Sequence, residues 1–286
     1  MANGVRIDVG WVQSQFPDLS NIAPLNSGGQ KIVFAARHPI DGDIVLKLIN
    51  PGQPNETTDR EVLAVQIVQS PRVPRILDQG RIQTAVGELV WLREQRIIGQ
   101  TVRQALNGGA FDKRNLLRLG LHVLEALVKA EEAQIVHRDV KPDNVMLDAT
   151  GDFWLLDFGI ARHLTLQSLT GTGQIWGKFT LGYSPPEQMR NLKPQIDPRA
   201  DLFALGVTLH ECATGRHPFR QPPASDLEIL KRVETLTLAP LTLTFPTANE
   251  FRDLVDAMTQ KRRDLRPSSI QEALAWMQEI CAKEQV

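Results

Sequence analysis

Asp139, Lys141, Asn144 and Asp157 stand on two neighbouring stretches of the chain, HRDVKPDN at 137–144 and DFG at 157–159. Together they supply what moving a phosphoryl group from ATP to a hydroxyl requires. Asp139 is a base for the hydroxyl proton. Lys141 is a cation for the charge on the moving group. Asn144 and Asp157 are oxygen ligands for Mg²⁺ held against the phosphates. Such a transfer leaves little covalent work to the protein, so positioning and charge stabilisation carry it. Any one of these residues alone reads as a solvated loop charge. All of them at this spacing read as a mechanism.

Those residues closely resemble the eukaryotic-type (Hanks-type) protein kinase family in its bacterial form, and the resemblance runs from about Ile22 to about Ile280. It implies an α+β, two-lobed fold: an N-terminal lobe with a small antiparallel sheet and one helix, then a mainly helical C-terminal lobe. It also implies an ATP cleft between the lobes. Boundaries follow: 1–21 as an extension, 22–98 as the ATP-binding lobe, and 99–286 as the lobe with catalytic loop, activation segment and substrate platform.

The elements that must position the four residues are legible as patterns. Ile32–Arg37 and Ile44–Ile49 flank a turn at Asp41–Gly42, which predicts a hairpin. Thr58–Gln69 has helical periodicity. Strands follow near Arg75–Gln83 and Glu88–Ile97, and a linker lies near Ile98–Thr101. A long helix is expected over Asn115–Gln134, short strands at Val145–Leu147 and Phe153–Leu156, and helices at Asp201–Thr214, Glu250–Thr259 and Ser269–Glu284.

For the nucleotide, the resemblance assigns Lys47, in the apolar run IVLKLI, as the ATP-orienting lysine and Glu61 as its helix partner. A lone lysine in such a run is costly unless paired. The alternative is an edge-strand solubility charge. The phosphate loop departs from G-x-G-x-x-G-x-V. Its segment is Asn26-Ser27-Gly28-Gly29-Gln30-Lys31-Ile32-Val33, with only Gly28 in register. Asn26 tolerates a turn. Lys31 reads as an exposed turn residue or as a phosphate contact. Leu25, Ser27, Gly28, Gly29 and Val33 complete the expected nucleotide set. Within Leu89–Arg96, Glu94 or a neighbour would face the adenine, with the register unfixed.

The resemblance also sets the substrate class. Lys141 and Thr180 match the serine/threonine-specific pattern, with Thr180 contacting Asp139 and Lys141. Glu187 of Pro185-Pro186-Glu187 pairs with Arg266, and Asp201 anchors the catalytic loop. These support positions set protein kinases apart from small-molecule phosphotransferases. His137 reads as a packing residue. Arg138 is expected to receive a phosphorylated residue of the segment between Gly159 and Pro185, at Thr170 or Thr172 among Thr165, Ser168 and Thr180. The expectation is a protein serine/threonine kinase using ATP and Mg²⁺, with Mn²⁺ as an alternative metal, and autophosphorylating. The competing readings are a pseudokinase scaffold, favoured by the irregular glycine loop, and a small-molecule phosphotransferase.

Bulk properties exclude other classes. The chain has 286 residues and a formal net charge of −1, with basic and acidic residues interleaved, so nucleic acid is not expected as a partner. Cys212 and Cys281 are too few for a disulfide framework and fit a reducing cytoplasm. No run reaches the roughly 18–20 apolar residues of a membrane span. MANGVRIDVGW lacks the pattern of a signal peptide, and Ala2 stands where myristoylation needs glycine. The expected partner is a protein substrate. Oligomeric state is not legible.

Overall fold

The structure, a computed structural model, describes residues 7–28, 31–49, 68–84, 87–158 and 179–286. They divide into two compact units. The first holds 7–28, 31–49, 74–84 and 87–97; the second holds 68–73, 98–158 and 179–286.

The first unit opens with helix α1 (Val9–Gln15), capped by Asp8, whose carboxylate accepts the Trp11 N–H at 3.0 Å. Strands β1 (Ser20–Gly28), β2 (Lys31–His38), β3 (Gly42–Ile49), β4 (Ile76–Thr84) and β5 (Gly87–Gln95) form an antiparallel sheet ordered β1-β2-β3-β5-β4. Gly42, at φ 74°, makes the β2–β3 turn that Asp41–Gly42 predicted. Alternation sorts the side chains. Phe34, Ala36, Ile44, Leu46 and Leu48 face α1 and pack on Val12 and Leu19, while Phe16 meets Trp91 edge-on at 5.4 Å. The segment 1–21, read from sequence as an extension, thus contributes Val12 and Leu19 to this core. Val33, Lys47 and Leu92 lie on the opposite face. The helix expected at Thr58–Gln69 falls outside the described residues up to 67.

The second unit begins its described fold at 68–73, inside the segment read as the strand-rich lobe. Arg72 ties it in: its carbonyl accepts the Leu155 N–H at 2.8 Å, and its guanidinium reaches Glu125 at 3.0 Å and Asp152 at 2.8 Å. Strand β6 (Gly99–Thr101) leads into helix α2 (Val102–Ala105) through a capping box of Thr101 and Gln104. The expected linker is therefore a strand. It runs against Val145–Asp148 so closely that a Cβ on Gly99 would stand 2.1 Å from the Leu147 carbonyl oxygen. Helix α3 (Lys113–Glu132), capped by Asp112, buries Leu116, Leu119, Val123 and Leu127 at helical spacing. Strands β7 (Val145–Asp148) and β8 (Phe153–Leu155) form a hairpin whose turn is held by Asp148, which accepts the Thr150 and Asp152 N–H groups. Helix α4 (Pro186–Met189) follows, then α5 (Arg199–Thr214), buried almost throughout and ended by Gly215 at φ 69°. Helices α6 (Asp226–Thr235), α7 (Ala248–Met258) and α8 (Ile270–Glu284) complete it. Phe203, Val207, Phe219, Tyr183 and Val233 form one core cluster. No described helix is long and apolar enough to cross a membrane. Cys212 and Cys281 are free and buried.

Candidate active site

The catalytic loop of the second unit is built on a buried carboxylate. Asp201, at the start of α5 and 1% exposed, accepts the His137 N–H and the Arg138 N–H, each at 2.7 Å. Burial pushes its carboxyl up, and nearby His137 and the two N–H donors pull it back. These bonds hold Arg138 at φ 65°, a left-handed geometry costly for arginine and kept only where its surroundings fix it. His137 is fully buried. Its Nε2 lies 2.8 Å from the Leu156 carbonyl, and its ring meets Phe158 edge-on at 4.8 Å. It packs and holds, as its sequence reading said.

Three of the expected residues converge on Asp139. Its Oδ1 accepts the Thr180 hydroxyl at 2.5 Å. Its Oδ2 accepts Lys141 Nζ at 2.9 Å and Asn144 Nδ2 at 2.9 Å. Asn144 Nδ2 also donates to the Asp139 carbonyl at 2.8 Å, and Lys141 reaches the Thr180 hydroxyl at 3.3 Å. A 3₁₀ turn over Pro142–Asn144 folds Asn144 back onto Asp139. Asp157, at φ 60°, follows directly on Leu156, whose N–H donates to the Asn144 carbonyl at 2.8 Å. The backbone thereby joins the DFG stretch to the loop of Asn144.

With its amide nitrogen committed to Asp139, Asn144 keeps its side-chain oxygen as an acceptor. Asp157 adds a carboxylate. This all-oxygen donor set fits a hard divalent cation that keeps waters and substrate phosphates as its other ligands. Among the described residues no cluster of three His, Cys, Asp or Glu side chains forms a closed metal cage.

Around the loop stands the scaffold expected of a peptide platform. Arg266 pairs with Glu187 through two bonds, at 2.6 Å and 3.1 Å, and also donates to the carbonyls of Gln260 and Arg199. Gln188 donates to the Arg138 carbonyl at 3.0 Å, linking α4 to the catalytic loop. The sequence reading missed Gln188, and it missed Arg103, which meets Glu211 at 2.6 Å, Asp143 at 3.4 Å and the Tyr183 hydroxyl. Their partners are distant in the chain, so no local spacing marks them.

The nucleotide residues belong to the first unit. Val33 lies directly opposite Lys47 across β2 and β3. Asn26, where the sequence tolerates a turn, stays in β1 opposite Val33, with the strand irregularity between Pro24 and Asn26. Ladder pairing carries β1 on through Ser27 to Gly28, which faces Lys31. Leu25 is half exposed. Lys47 is buried and pairs with Glu94 at 2.6 Å. Gly29, Glu61 and the segment 159–178, with Thr165, Ser168, Thr170 and Thr172, lie outside the described residues.

Similarity to known proteins agrees with this geometry. The probable serine/threonine-protein kinase PkwA of Thermomonospora curvata is 32% identical over 254 residues, 87% of this chain and 32% of that protein. The serine/threonine-protein kinase PknL of Mycobacterium tuberculosis is 33% identical over 204 residues, 69% of this chain and 49% of its own length. The probable serine/threonine-protein kinase PknB of Corynebacterium glutamicum is 31% identical over 206 residues, 69% and 31%. The chain thus spans half or less of the length of these bacterial relatives. A family model described as the protein kinase domain matches residues 20–281, and the chain belongs to that family.

Proposed function

We propose that the chain is a protein serine/threonine kinase, transferring the γ-phosphoryl group of ATP to a serine or threonine hydroxyl of a protein and to its own. The observation that carries this reading is Asp139 held by Thr180, Lys141 and Asn144 at hydrogen-bond distance. A pure scaffold has no use for a carboxylate fixed in this way.

Each residue has a task. Asp139 orients the acceptor hydroxyl and takes its proton. Lys141 faces the charge that grows on the phosphoryl oxygens. Thr180 locks Asp139 and Lys141 in one geometry and ties them to the segment that leads into α4. Asn144 and Asp157 would hold Mg²⁺, or Mn²⁺ in its place. The bound metal would screen the phosphate charges and align the γ-phosphoryl group. Lys47 orients the nucleotide phosphates, with Val33, Leu25, Ser27, Gly28 and Gly29 about the nucleotide and Glu61 as a helix partner of Lys47. The lobes divide as 22–98 for nucleotide and 99–286 for catalysis and substrate. Two buried, unpaired cysteines fit a cytoplasmic setting.

Purified protein incubated with labelled ATP and Mg²⁺ tests the reading. Label on serine or threonine is expected in the wild type. Asp139→Asn should lower it by roughly 10²–10⁴-fold with nucleotide binding retained. Wild-type protein that neither labels nor binds nucleotide would overturn it in favour of a scaffold.

A further inference from the structure

The sheet of the first unit contains an ion pair that no sequence pattern announced. Lys47 Nζ lies 2.6 Å from Glu94 Oε2. Each residue is only 8% exposed. Lys47 faces Leu92 across β3 and β5, and Glu94 is two residues on, so the pair is a diagonal on the sheet face opposite α1. A buried ammonium demands a counter-charge. Glu94 provides one from within the sheet. Polyphosphate oxygens seek the same N–H donors, and a carboxylate beside them repels them.

We propose that Glu94 is a positioning residue that sets nucleotide affinity: it holds Lys47 in the phosphate-free protein, and the ATP phosphates must take the ammonium from it. This rests on the reading of Lys47 as a phosphate ligand. Glu94→Gln keeps the shape and removes the charge. Lys47 then loses its charged partner on β5, and polyphosphate becomes the better counter-ion. Loss of this buried residue therefore tightens a ligand rather than weakening it. The nucleotide-free protein should become less stable, and the stabilisation gained on adding ATP should grow.

Calorimetric titration of the full chain with ATP and with adenosine, in the presence of Mg²⁺, tests this. Glu94→Gln should bind ATP about tenfold tighter and adenosine unchanged. Its KM for ATP should fall without a rise in kcat. Glu94→Asp, which draws the carboxylate back by one methylene, should shift in the same direction by less, and it carries the test if the glutamine variant does not fold. In Lys47→Met the gain from Glu94→Gln should vanish. If Lys47→Met alone leaves ATP affinity unchanged, Lys47 is no phosphate ligand, and the underlying reading falls with the proposal. If Lys47→Met weakens ATP but Glu94→Gln does not tighten it, only the proposal is overturned. An equal effect of Glu94→Gln on adenosine would also overturn it, since Glu94 would then act on the base.

Discussion

At the scale of single residues, Thr180 separates positioning from chemistry. Its hydroxyl donates to Asp139 at 2.5 Å and lies 3.3 Å from Lys141, so one oxygen joins the base to the cation. Thr180→Val keeps the shape and deletes that oxygen. Asp139 keeps Lys141 and Asn144 as partners on Oδ2 but loses the Thr180 contact on Oδ1. Phosphoryl transfer to a peptide should fall roughly tenfold to a hundredfold, a loss of about 1.4–2.8 kcal/mol in transition-state stabilisation. The loss should appear in kcat, with KM for ATP little changed, because Thr180 is not among the nucleotide residues. Thr180→Ser should restore most of the rate. Equal rates for the serine and valine variants would show that the hydroxyl has no part in aligning Asp139.

At the scale of elements, His122 reports how α3 grips the β7–β8 hairpin. It is 4% exposed, and its Nδ1 accepts the Phe153 N–H at 3.1 Å, which requires an unprotonated nitrogen. Burial, with the positive charge of Arg72, lowers its pKa from 6.5 to about 4, against the opposing pull of Asp152. Between those values the unfolded chain binds a proton that the folded chain refuses. The stability tied to His122 is therefore full above pH 6.5 and is lost as the pH falls toward 4. Urea unfolding across that window should show His122→Asn reducing the pH slope by about 1.4 kcal/mol per unit, since asparagine can still accept the Phe153 N–H. An unchanged slope would place the proton elsewhere. Such couplings mark the limit of what sequence conveys. The β2–β3 hairpin, α3, α5 and α8 were legible because periodicity and a cap or turn residue are local signals. The Asp139 constellation was legible for the same reason, its members lying close in the chain or in fixed motifs. The partners of His122, Arg103 and Lys47 are chosen by packing between distant segments. Asn26 tolerates a turn, and the ladder decides against one there: β1 pairs with β2 through Gly28.

At the scale of the whole molecule, the Glu187–Arg266 pair shows how a distant contact supports the catalytic loop. It joins residues 79 positions apart, with side-chain exposures of 5% and 0%, and Arg266 also stacks over Phe203 at 5.0 Å. Charges so fully removed from water are held by each other, so deleting one strands the other. Arg266→Ala should cost about 3–5 kcal/mol in urea unfolding. Replacing both partners with apolar residues, as in Arg266→Met with Glu187→Leu, should cost less than the single change, because no charge is left alone. That double variant then isolates function from stability. Glu187 and Gln188 share one short helix, and Gln188 holds the Arg138 carbonyl one residue before Asp139. With the Glu187 anchor gone, α4 loses its fixed seat, and Thr180, just upstream, loses its alignment with Asp139. The double variant should therefore bind nucleotide as the wild type does yet phosphorylate a peptide more slowly, by roughly tenfold. Full peptide activity in a folded double variant would confine the pair to stability and give it no part in aligning Asp139.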